Sequence, residues 1–179
     1  PGSIVDNRIL NQDLNSIYAS GWFSGVKINS QDGPLGVRLI VDVVPNPILK
    51  KVEVKPINSV ISNAYVDTIF NNYYGTTLNL NEFQNKIEII KKRYEDEGYS
   101  LVRINSPDRI SDDGVIILNV SEGIVSNIEL RFQGADEKPR KGKTKEWVIK
   151  RELKTQPGTV FNRKILEADI KRLYATSLF

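Results

Sequence analysis

Two acidic clusters, Glu95-Asp96-Glu97 and Asp108/Asp112/Asp113, are spaced closely enough to suggest a cation site. One basic loop, with Lys138, Arg140, Lys141, Lys143 and Lys145, could meet nucleic acid, lipid headgroups or acidic clients. Neither feature goes far. The acidic clusters lack the ligand spacing of an EF-hand loop, so they are expected to serve turns and surface, and no metal site is expected. A run of cations between a strand and a helix is ordinarily a solvated loop. Gly33-Pro34-Leu35-Gly36 matches a phosphate-clamping GxxG pattern, but it sits in a hairpin without basic neighbours, not between two helices. The chain holds no cysteine, histidine or methionine. That excludes disulfides, thiolate or imidazole zinc sites, and any Cys or His nucleophile or base. No convergent acid/base set remains, so no enzyme and no cofactor is expected. The net charge of +3 is too mild to demand nucleic acid.

The elements that would position these residues are legible from periodicity. Hydrophobic content of 40% against 26% charged belongs to a globular chain. No apolar run approaches the ~20 residues of a membrane helix. Leu10, Leu14 and Ile17 share one helical face, and Gly21 is a natural stop. Val26 to Ile28 and Val37 to Val44 predict strands around the turn at Asp32-Gly33-Pro34. Pro45-Asn46-Pro47 breaks the second of them. Val52 to Lys55 alternates as a new strand. Val66, Ile69, Phe70 and Tyr73 predict an amphipathic helix, with Ser62 or Asn63 as its cap. Asn79 with Glu82 suggests a capping box for a second helix carrying Phe83, Ile87, Ile90 and Tyr94 and closed by Gly98. Leu101 to Ile104 and Val115 to Val120 predict a strand hairpin. Ile128 to Phe132 predicts another strand. Thr144 is expected to cap a helix through Ile149 and Leu153, and Leu166, Ile170 and Leu173 mark the last helix. Trp22, Phe23 and Trp147 are expected to pack in a core or an interface.

The pattern repeats. Gly75-Thr76-Thr77-Leu78-Asn79 matches Gly158-Thr159-Val160-Phe161-Asn162, 83 residues later. Phe83, Ile87 and Ile90 fall on Leu166, Ile170 and Leu173 by the same shift. Lys51 to Lys55 falls on Asn127 to Arg131 with a shift of 76, and Leu10, Leu14 and Ile17 fall on the last helix with a shift of 156. A period of this length is domain-sized, too long for a solenoid unit.

A tandem β-α-α-β-β unit of this size resembles the POTRA domains of the Omp85 family. The junction Val120-Ser121-Glu122-Gly123 resembles the family's unit ending. Gly142, Thr144, Val148, Ile149, Arg151, Glu152 and Leu153, followed by Pro157-Gly158, Phe161-Asn162 and Leu178-Phe179, resemble the last such domain of its cyanobacterial and chloroplast members. The first junction, Val44-Pro45-Asn46-Pro47, departs from that pattern. The resemblance implies an α+β fold of tandem units, each a three-stranded mixed sheet backed by two helices. Residues 1–47 would be the C-terminal half of a first unit, 48–123 a complete unit, and 124–179 the N-terminal half of a third. Pro1-Gly2-Ser3 resembles a cloning remnant, so an excised fragment is expected. Its half-units should expose apolar stripes and fray or exchange elements between chains.

The resemblance also implies a role. The chain would be a periplasmic polypeptide-binding module of an outer-membrane assembly or translocation pore, or its counterpart in a plastid envelope. It would receive unfolded outer-membrane proteins or preproteins for a C-terminal β-barrel absent from this sequence. The implied sheet-edge strand, Leu101, Val102, Arg103 and Ile104, would take a client by strand addition. Pro45, Pro47, Glu122 and Gly123 would form stiff linkers between units. The alternative is an interaction domain for one fixed partner protein, such as an accessory subunit or a cell-division-type scaffold. A nucleic-acid binder would show steep salt dependence and is not expected.

Overall fold

A computed structural model describes residues 6–34, 36–56, 58–107, 111–134, 136, 138–142 and 144–176. Leu35, Asp108, Lys143, Leu178 and Phe179, named above, lie outside the described residues. The elements run α1 (Asn7–Ala19), β1 (Phe23–Gly33), β2 (Gly36–Pro45), β3 (Lys51–Lys55), α2 (Asn63–Phe70), a 3-10 turn (Asn71–Tyr73), α3 (Leu80–Glu97), β4 (Arg103–Asn105), β5 (Val115–Ser121), α4 (Glu146–Lys150) and α5 (Arg163–Ala175). The fold is α+β. The chain divides into two compact units, Pro1–Ile90 with Asn105–Asn119, and Lys91–Ile104 with Val120–Phe179. Among the described residues no helix is long and apolar enough to cross a membrane.

In the first unit β1 and β2 form an antiparallel hairpin, with Val26 opposite Val43 and Ile28 opposite Val41. β1 is much longer than the apolar run that predicts it, because hairpin pairing carries the polar residues near the turn along, whereas β2 adds only Gly36 and Pro45 to its run. α1 packs on β1, and no α1 residue is fully buried. The β2 face bearing Val37, Leu39, Val41 and Val43 therefore stays 39–48% exposed. The second sheet has the order β3-β5-β4, with β3 parallel to β5. Here burial is complete. Val52, Val54, Ile116 and Leu118 are at most 2% exposed; α2 packs on β3, and its Val66 and Phe70 are buried together with Phe83, Ile87 and Ile90 of α3. Each such side chain contributes about 2 kcal/mol by leaving water. Ser62 caps α2 by accepting the Tyr65 N–H. Asn79 caps α3 by accepting the N–H groups of Asn81 and Glu82 at 2.9 and 3.2 Å.

In the second unit Ile128, Leu130 and Phe132 alternate half-buried with exposed neighbours, as a strand would, but no strand forms. Alternation selects a face; a ladder needs a neighbour, and the described residues offer only an isolated bridge, Gln133 to Pro139. Leu130 and Phe132 line a cavity of about 350 Å³ with Ile149, Ile170, Leu173 and Tyr174. Helix α4 is shorter than expected. It begins after Lys145, which makes no side-chain cap, so Thr144 is not the cap and Leu153 lies beyond the helix. The two tryptophans are not core residues. Trp22 is 42% exposed, and Trp147 is 59% exposed beneath the Arg151 guanidinium, 5.2 Å from the ring.

Candidate functional site

The expected client-binding strand is shorter than its apolar run. Leu101 and Val102 precede β4, which holds only Arg103, Ile104 and Asn105. Leu101 is held back by the junction. Its side chain fills the space beside Gly123, where an added Cβ would lie 2.6 Å from the Leu101 Cβ. Arg103 and Asn105 are exposed and Ile104 is half-buried. β4 ends the strand order of its sheet. Among the described residues no side chain is hydrogen-bonded to the backbone of β4.

The linker residues are brought into two joints built to one plan. At the first joint Asn79 Nδ2 donates to the Ser20 carbonyl at 3.0 Å, the Leu80 N–H donates to Gly21 O at 2.9 Å, and Asn81 Nδ2 donates to Ala19 O at 2.8 Å. At the second, Asn162 Nδ2 donates to Glu97 O at 3.0 Å, the Arg163 N–H to Gly98 O at 2.8 Å, and Lys164 Nζ to Asp96 O at 2.6 Å. Each asparagine thus does two jobs. Its Oδ1 caps its own helix, while its Nδ2 satisfies a carbonyl at the frayed end of an earlier helix. Gly21 and Gly98 end those helices at φ +77° and +98°, where a Cβ would lie 2.8 and 2.5 Å from the clamping asparagine's Oδ1. Glycine is needed there both for the turn and for the approach.

Beside each clamp the linker pairs with the segment before the helix. Pro47 O accepts the Leu78 N–H at 3.0 Å, and Leu49 exchanges hydrogen bonds with Thr76 and Gly75. Gly123 O accepts the Phe161 N–H at 2.7 Å, and Val125 exchanges with Thr159 and Gly158. Ile48 bridges Thr77, and Ile124 bridges Val160. Pro45 closes β2. Glu122 accepts the Tyr94 hydroxyl at 2.7 Å. Its counterpart in the first joint is Asn46, buried, with Nδ2 donating to Gly21 O and Leu78 O at 2.8 and 2.9 Å.

Sequence reasoning marks Asn79 as a helix cap only, counts Asn46 within the first linker without giving its side chain a partner, and passes over Asn162, Gly21 and Gly98 as joint residues. The repeat itself was the available signal, because Asn79 and Asn162 occupy the same place in it. Among its described residues the basic loop gathers no site. Arg140 pairs with Asp136 at 3.4 Å and its N–H donates to Phe132 O. Among the described residues no cluster of carboxylates could hold a metal ion.

Comparison with known proteins bears on the fold and the family. Residues 48–123 match a family model described as POTRA domain, ShlB-type. The N-terminal domain of Omp85 from Thermosynechococcus elongatus superposes with a TM-score of 0.89 at 41% identity, covering 99% of this chain and 75% of that one. POTRA1-3 of the periplasmic domain of Omp85 from Anabaena gives 0.83 at 38% identity, covering 99% and 74%. Outer envelope protein 80, chloroplastic, of Oryza sativa subsp. japonica is 26% identical over 174 residues, 97% of this chain. The chain spans about a quarter of the length of that relative. With its α+β units, its repeated joints and these likenesses, the chain belongs to the POTRA domains of the Omp85 family.

Proposed function

We propose that this chain is the periplasmic polypeptide-binding module of an outer-membrane assembly or translocation pore, or of its plastid-envelope counterpart. Its clients are unfolded barrel precursors or preproteins, passed on to a C-terminal barrel. An extended client adds as a strand beside Leu101, Val102, Arg103 and Ile104. Main-chain bonding is tolerant of sequence, which suits a handler of many clients, and the contacts are weak enough for clients to leave. No catalytic step is involved. The chain comprises three repeats, 1–47, 48–123 and 124–179. Pro45, Pro47, Glu122 and Gly123, through the paired linkers, keep successive repeats from swinging freely. The observation that carries this function is the terminal place of β4 in its sheet, where among the described residues no side chain is hydrogen-bonded to its backbone.

The test is amide exchange. An unstructured peptide from an outer-membrane barrel strand should slow exchange across Arg103 to Asn105, and Val102→Pro should weaken its binding while the fold persists. Unchanged exchange with bound peptide, or unchanged binding by the folded variant, would remove this edge as the site.

A further inference from the structure

A three-stranded sheet has two rims, and strand addition at the wrong one would misplace a client or join two copies of the chain. The rim opposite β4 is β3, and its donors are occupied. In the parallel ladder Lys51, Glu53 and Lys55 alternate with residues whose backbone N–H groups point away from β5. Those outward residues are Val52 and Val54. The Val52 N–H donates to the Tyr74 hydroxyl oxygen at 3.3 Å, and the Val54 N–H donates to Asn63 Oδ1 at 2.6 Å. The next position in the alternation is Pro56, which has no N–H to offer.

Both capping side chains are held in place. The Tyr74 hydroxyl donates to Asp67 Oδ1 at 2.7 Å, and Asp67 is fixed in turn by Lys51 Nζ at 2.7 and 2.9 Å. Asn63 stands at the first position of α2, one past the residue that caps the helix. Ser62 has taken that task, which leaves the Asn63 carbonyl oxygen to reach the strand. By contrast, none of the hydrogen bonds from described side chains reaches the backbone of β4. The contrast between the rims is thus one of donors, not of apolar surface.

We propose that Tyr74, Asn63 and Pro56 lock the β3 rim against strand addition, so that incoming polypeptide is directed to β4. The lock gives the sheet a single acceptor rim and sets where on the module a client can lie. It rests on the strand-adding function proposed above, but its chemistry can be examined separately.

The experiment uses the whole chain carrying Tyr74→Phe and Asn63→Ala together, with a synthetic peptide of alternating valine and threonine ended by lysines. Exchange at the Val52 and Val54 amides should rise about tenfold, the size expected for one lost hydrogen bond each. The peptide should then slow exchange at those two amides, which it does not do in the unaltered chain. Without peptide, the variant should self-associate at concentrations where the unaltered chain is monomeric. A folded variant that neither binds peptide at β3 nor self-associates overturns the lock, as does unchanged exchange at Val52 and Val54. Should the double variant fail to fold, Tyr74→Phe alone, followed at Val52, decides the same question. Slowing at Arg103 to Asn105 in the unaltered chain reports on the strand-adding function itself. Its absence would sink that function, while self-association of the variant would still decide the lock.

Discussion

The two joints share a backbone and differ in side chains. Both pair a linker with the segment before a helix, and both hang an earlier helix end from an asparagine cap. Around that frame the first joint uses the buried amide of Asn46 against two carbonyls, whereas the second uses a carboxylate, Glu122, on a tyrosine hydroxyl. The second joint is also buttressed. Asp169, completely buried in α5, accepts the N–H groups of Lys154 and Thr155 at 2.9 and 2.8 Å, just ahead of the pairing segment. Arg172 joins Asp169 to the Glu152 carbonyl. The position 83 residues before Asp169 is Lys86, so the first joint has no such support. The difference teaches that the repeat preserves main-chain pairing, whose geometry is the same for any sequence, and lets each copy find its own side-chain solution.

The largest way to break the comparison is Asp169→Ala. It orphans two N–H groups and strands Arg172, and should cost about 3 kcal/mol in urea unfolding. Exchange should then accelerate at the Phe161 amide and not at Leu78. Next come the glycines. Gly98→Ala combines a positive φ with a close approach and should cost about 2 kcal/mol. Gly21→Ala should cost somewhat less, as its clearance is wider. Gly75→Ala and Gly158→Ala meet nothing within 4 Å at φ +84° and +86°, so only the backbone penalty of about 1 kcal/mol remains. Equal losses at all four would show that the clamp is not close-packed.

A finer test separates capping from clamping. Asn79→Asp and Asn162→Asp keep the cap oxygen but lose the donor to Ser20 and Glu97, and each should cost about 1 kcal/mol by thermal unfolding. Helix capping alone would leave both unchanged.

The smallest effects are those of pH. Hydrogen bonds from Lys51, then from Tyr74, hold the Asp67 carboxyl below its ordinary value. Burial raises Asp169, but the N–H groups of Lys154 and Thr155 outweigh it and leave that carboxyl lowered too. Both contribute stability that is present above the unfolded carboxylate pKa of about 3.9 and lost as pH falls through the lower folded values. Acid unfolding followed by circular dichroism should therefore shift to higher pH in Asp67→Asn and Asp169→Asn. At the alkaline end burial, then the bond to Asp67, pushes Tyr74 up to about 12. Its contribution is intact below the ordinary tyrosine value and lost as pH rises through about 12. Tyrosinate absorbance should show one late step that Tyr74→Phe removes.

Much of the fold was legible because helices and caps are local. The stripe of Phe83, Ile87, Ile90 and Tyr94 is buried as its spacing requires, Asn79 caps α3, and Gly21, Gly75 and Gly98 all carry positive φ. Ladders were less legible. Ile128 to Phe132 alternates but forms no strand among the described residues, and Leu101 gives up strand geometry to pack beside Gly123. Polar side chains were hardest. Asp169 sits next to Ile170 in the last helix, and periodicity would assign it to solvent; instead Asp169 is buried and Ile170 is 44% exposed. Only the two N–H groups that meet Asp169 explain the exchange.

Apolar period and repeat spacing by themselves determined the order of elements, the helix ends and the existence of copies, since an element depends on residues within a turn or two of one another and a copy is the same local pattern met again. The tertiary structure alone decided which carbonyl an asparagine reaches, which carboxylate is buried and which sheet rim has its donors occupied. Those outcomes hang on hydrogen bonds between residues far apart in sequence, and no local pattern encodes a partner that has not yet been brought near.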